Sequence, residues 1–185
     1  MADTSKIITG ALALADGSVF VGTGNGASGT AIGELCFNTA MTGQQEILAD
    51  PSYSGQVLCF TFPHVGNVGT NVEDEEATSA PARKAAVGMV SRAPITAPAN
   101  YRAEEGFDEW LRARGIVSLS GVDTRAMTRR IRESGMPMCA IAHDPAGNID
   151  IEALKAEAAG AASMEGRELA AAVSRDAGGD WDQGS

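Results

Sequence analysis

At 185 residues the chain has room for one domain, or one domain with a terminal linker, and for a core of its own. A formal net charge of −10 opposes the phosphate backbone of nucleic acids, whose binders concentrate Lys and Arg, so nucleic acid is set aside as a partner. The opening MADTSKIITG lacks the basic start and apolar core of a signal peptide, and no run approaches the roughly 20 apolar residues that cross a bilayer, so the chain reads as cytoplasmic with no membrane partner.

In chain order, Ile7 to Leu14 and Val19 to Val21 flank Asp16-Gly17, the strongest short hairpin signal present. The segment Gly22 to Gly29 follows, with a literal G-x-G-x-x-G at Gly24, Gly26 and Gly29. A dinucleotide site needs a helix to begin there, so that free N–H groups and the helix dipole face the pyrophosphate. Thr30 to Phe37 is patterned as a strand instead, so the glycines read as a flexible turn and no cofactor is expected. A nucleotide-binding oxidoreductase, the third functional class open to the chain, rests on this loop alone.

Ala31 to Phe37 and Val57 to Phe62 read as core strands around a long polar segment without a repeating pattern. Compact domains rarely carry so much unpatterned backbone unless it binds something or packs on a partner, so function is sought there. Asp50-Pro51-Ser52-Tyr53 predicts a tight turn, because Pro51 fixes φ and the Asp50 carboxylate accepts from the backbone two residues on. Ser52 then stands on a rigid corner, its hydroxyl placed to cap the turn. Pro63 to Asn71 supplies glycines, an imidazole and two amides in one loop.

Farther on, Val72 to Glu76 reads as a solvated acidic loop leading into Ser79-Ala80-Pro81, since its carboxylates lack the glycine offset of an EF-hand. Ala85 to Val90 and Ile116 to Leu119 predict strands, and Glu104 to Arg114 a helix that buries Phe107, Trp110 and Leu111 and stops at Gly115. Asp123 is placed as an N-cap for a helix whose Met127 and Ile131 face the core. Arg125, Arg129, Arg130 and Arg132 surround the rest of that helix, as a solvated basic face or as an ionic contact with an acidic partner, for which the planar guanidinium suits carboxylate. Met136 to Ala142 gives a last strand, His143-Asp144-Pro145 a turn, and Ile149 to Ala162 an Ala-rich helix broken by Gly160.

No catalytic group is expected. Cys36, Cys59 and Cys139 have apolar neighbours and no C-x-x-C spacing, and read as reduced, buried thiols without a metal. His64 and His143 lie beside no serine or cysteine motif that would activate one of them. His64 reads as a hydrogen-bonding strut of its loop and His143 as a surface turn residue.

FNTAMTGQQEILADPSYSGQ followed by PHVGNVGTN closely resembles the amino-terminal domain of the small, glutamine-using subunit of carbamoyl phosphate synthetase. GVDTRAMTRRIR, from Gly121 to Arg132, resembles the family's D-T-R helix, and Trp181 to Ser185 resembles its exit linker. The resemblance implies an α+β fold of the swivelling β/β/α kind over residues 1–160, with 161–185 leading toward a class I glutamine amidotransferase domain. It implies docking on the large subunit, support of the amidotransferase domain, and a bond from Ser52 to glutamine. In the parent ligase, glutamine hydrolysis supplies ammonia for carbamoyl phosphate, used in arginine and pyrimidine synthesis. The isolated chain is expected to be inactive, and a free-standing interaction module is the alternative. One departure is Gln44, where the family usually has a tyrosine that could anchor the loop.

Overall fold

The computed structural model describes residues 8–73, 86–164 and 166. Most of the acidic run, the Ser79-Ala80-Pro81 step and the expected exit linker lie outside the described residues.

Seven strands, β1 (Gly10–Leu14), β2 (Val19–Gly26), β3 (Gly29–Asn38), β4 (Gln56–Phe60), β5 (Gly88–Ser91), β6 (Val117–Ser120) and β7 (Met138–His143), close into a mixed barrel in the order β1-β2-β6-β5-β4-β3-β7. The hairpin at Asp16-Gly17 forms as its sequence predicts: β1 pairs antiparallel with β2, with Ala13 opposite Val19. The Asp16 carboxylate fixes this turn by accepting from the Ser18 N–H at 2.8 Å. The barrel then divides by strand direction. β3, β4, β5 and β6 run parallel as neighbours, so all four carboxyl ends open at one rim. β7 closes the ring antiparallel to both β1 and β3.

Period-two alternation sorts the side chains into an interior and two outer layers. Leu12, Leu14, Val57, Cys59, Cys139 and Ile141 share the interior cluster, into which Met127 and Ile131 of α3 (Thr124–Ser134) pack. Leu58 and Phe60, the alternate residues of β4, face outward and share a second cluster with Leu48 of α1 (Gln44–Ala49) and with Phe107, Trp110 and Leu111 of α2 (Phe107–Arg114). On the opposite wall Ala11, Ala13, Ala140 and Ala142 let α4 (Ile151–Gly160) approach closely, seating Leu154 and Ala158.

The fold corrects several expectations. Gly22, Gly24 and Gly26 are not a flexible turn but the second half of β2, with Gly22 opposite Gly10 of β1 and Gly24 and Gly26 paired with β6, while Gly29 opens β3 and no helix follows. A Cβ at Gly24 would overlap the His143 ring, and one at Gly22 or Gly26 would overlap the Ser120 or Ile116 carbonyl, so these three glycines serve close packing of backbone within the barrel, not a phosphate. His143 itself is the last residue of β7, half-buried, with Nδ1 at 3.2 Å from the Ala27 carbonyl; it is no surface turn residue. The polar middle is not irregular throughout, because it contains α1 and a single 3-10 turn over Pro51–Tyr53. The second helix begins at Phe107 instead of Glu104, and Gly115 ends it with φ of 71°. Asp123 caps α3 as expected, accepting from the N–H groups of Arg125 and Ala126, each at 3.1 Å.

Candidate functional site

The corner at Ser52 is built by its neighbours. Pro51 occupies the first position of the 3-10 turn, and the Asp50 carboxylate accepts from the Ser52 N–H at 2.8 Å. The cap is therefore Asp50, and the Ser52 hydroxyl makes no hydrogen bond to a described residue. The Ser52 hydroxyl therefore does not cap this turn. Ser52 is exposed, on backbone whose geometry is set by groups other than its own side chain. Behind it, the Asn38 Nδ2 donates to the Tyr53 Oη at 3.1 Å, and the Asn38 carbonyl accepts from the Thr61 N–H at 3.0 Å. The corner is thus tied to the ends of β3 and β4.

Those same strand ends form a groove of about 580 Å³. Thr39 follows β3, Thr61 follows β4, Arg92 follows β5, and Arg125, Arg129 and Arg132 descend from α3. The residues lining it include four arginines and no carboxylate. Arg92, Arg125 and Arg129 form no ion pair with a described residue, and the Arg132 guanidinium lies 5.4 Å from the centre of the Phe37 ring. Arg130, on the other side of the helix, instead bonds Asp16 and the Ser18 hydroxyl, both at 2.8 Å. The basic face read from the sequence is therefore two surfaces, one paired internally and one open.

The thiols and imidazoles are not brought together. Cys36 Sγ lies 3.5 Å from the Gln56 Oε1, and Cys59 Sγ lies 3.8 Å from the Thr124 carbonyl. Desolvation pushes Cys36 and Cys59 up to about 12 and raises Cys139 as well, so all three are protonated near neutrality. His64 is exposed and meets Phe62 edge-on at 5.9 Å; it makes no hydrogen bond to a described residue, so it is not the strut its loop suggested. Among the described residues no group of three His, Cys, Asp or Glu is placed to hold a metal, and no helix is long and apolar enough to cross a membrane.

The loop is instead held by Gln45, which no motif in the sequence marks. Its Nε2 donates to the Asn71 carbonyl at 2.6 Å and its Oε1 accepts from the Asn71 N–H at 3.0 Å, so a buried amide clamps a loop 26 residues away. No local pattern announces such a contact. Gln44, at the departure from the family motif, is also buried and turns back to bond the Met41 carbonyl at 3.3 Å.

The sequence profile of the carbamoyl-phosphate synthase small chain, CPSase domain, matches residues 12–141. Carbamoyl phosphate synthase small chains of Maricaulis maris, Rhizobium meliloti and Caulobacter vibrioides are 75%, 59% and 55% identical over 95%, 88% and 96% of the chain. The chain spans 45%, 40% and 46% of those relatives, a little under half their length. With the profile running across all seven strands of the barrel, the chain belongs to the carbamoyl-phosphate synthase small chain family.

Proposed function

We propose that this chain is the non-catalytic platform of a glutamine-hydrolysing carbamoyl phosphate synthase, docking on the large subunit and presenting Ser52 to glutamine held by an adjoining amidotransferase domain. The barrel acts as the swivelling β/β/α body over residues 1–160, and 161–185 lead toward the amidotransferase domain. Glutamine hydrolysis in that second domain yields ammonia, which the large subunit combines with bicarbonate using ATP. The chain itself supplies position and no reacting group.

One observation carries this reading: a hydroxyl with no internal partner, held on an exposed corner by Asp50 and Pro51. With the backbone already fixed, only the short Ser52 side chain has to be ordered when the ligand is bonded. The buried, protonated thiols support the absence of a nucleophile. The test is Ser52→Ala in the complete small subunit paired with the large one. Loss of a hydrogen bond to charged glutamine costs about 1.5 to 3 kcal/mol, roughly ten- to a hundredfold in KM for glutamine, with synthesis from free ammonia unchanged. Unaltered glutamine kinetics would remove Ser52 from the site. The isolated chain serves as the blank of the same assay, and glutamine turnover by it would overturn the platform reading.

A further inference from the structure

We propose that the arginine groove between the carboxyl ends of β3, β4 and β5 and helix α3 is the surface that receives the large subunit, through a carboxylate-bearing face of that partner; this rests on the platform reading above. The chain carries 14 Lys and Arg against 24 Asp and Glu, yet four arginines gather around one groove in which no carboxylate takes part. Placing like charges together is unfavourable unless something opposite meets them. The contrast with Arg130 is informative. That residue, on the same helix, is neutralised within the fold by Asp16, whereas Arg92, Arg125 and Arg129 form no such pair among the described residues.

The chemistry points to carboxylate on a protein face. Each guanidinium offers a planar fork that takes a carboxylate in two parallel hydrogen bonds. Arg132 is held in advance by its contact with Phe37, so it loses less freedom on docking. All four arginines are exposed, and none is sunk in a pocket that would strip water from a small anion. A broad partner surface can exclude that water, and arginine is enriched where protein faces do so. The site also lies where docking could be felt at the Ser52 corner, because Asn38 ties Tyr53 to the end of β4.

The test uses the complete small subunit and the large subunit, with association measured by calorimetry across a salt series. Arg125→Ala with Arg129→Ala is expected to weaken association about tenfold or more and to flatten its salt dependence. Arg130→Ala is expected to leave association within about twofold, because its partner is internal. A double variant that binds as tightly as the unaltered subunit, with the same salt dependence, overturns the proposal and leaves the platform reading standing. Failure of the unaltered subunits to associate overturns both. Tripolyphosphate binding that the double variant loses, with subunit association unchanged, reassigns the groove to a small anion and also overturns the docking role.

Discussion

At the scale of single residues, the loop that ends at Asn71 depends on a side chain almost wholly withdrawn from solvent. Gln45 joins α1 to the loop at Asn71 through both ends of its amide, at 2.6 and 3.0 Å, and is only 4% exposed. Gln45→Ala removes two bonds and leaves an N–H and a carbonyl of Asn71 without these partners. The expected loss is about 2 kcal/mol, read as a lower midpoint in urea with an unchanged slope. A variant as stable as the parent would mean that water replaces the amide without cost. The Ser52 corner was legible because its determinants, Asp50 and Pro51, are sequence neighbours. The Gln45 clamp was not, because its partner lies 26 residues away and an amide has no pattern that names its mate.

Among the elements, α3 has two jobs on two faces. Met127 and Ile131 enter the interior cluster of the barrel, and Arg125, Arg129 and Arg132 line the groove outside. The spacing of four between the apolar pair, with Asp123 before them, made this helix readable in sequence; so did the spacing of Phe107, Trp110 and Leu111 for α2. Closure of the barrel was not readable, since strand order comes from pairings distant in sequence, such as β1 with β7. The run of glycines misled for a related reason: Gly22 and Gly24 look like a turn until β6 and His143 pack against them. The division of labour in α3 predicts a separation of effects. Met127→Ala, at a site with no exposure, is expected to cost about 2 to 5 kcal/mol of stability. The exposed arginine changes are expected to stay within about 0.5 kcal/mol, by thermal or urea melting. An arginine variant as destabilised as Met127→Ala would show that the groove face also holds the fold.

For the molecule as a whole, the three thiols report on how the layers open. Cys59 and Cys139 lie inside the barrel, whereas Cys36 is in the outer layer that includes Leu48 and Ala49 of α1. With Cys36 and Cys59 raised by desolvation from 9.0 to about 12, about one thiol in ten thousand is ionised at pH 8, so folded protein is expected to resist alkylation. Cys36 needs only a local opening of the short α1, and Cys59 and Cys139 need the barrel to open. Mass spectrometry of alkylated protein should therefore show Cys36 modified first, with Cys59 and Cys139 following together at a rate set by global unfolding. The same shifts give stability a sign in alkali. In the unfolded chain the thiols ionise near 9.0, while in the fold they keep their protons until about 12. Their contribution is present in full below about pH 9 and is lost as pH rises toward about 12. Modification of Cys59 or Cys139 as fast as Cys36 at pH 8 would mean that the barrel opens as readily as its outer helix, and a platform that loose could not hold Ser52 in place.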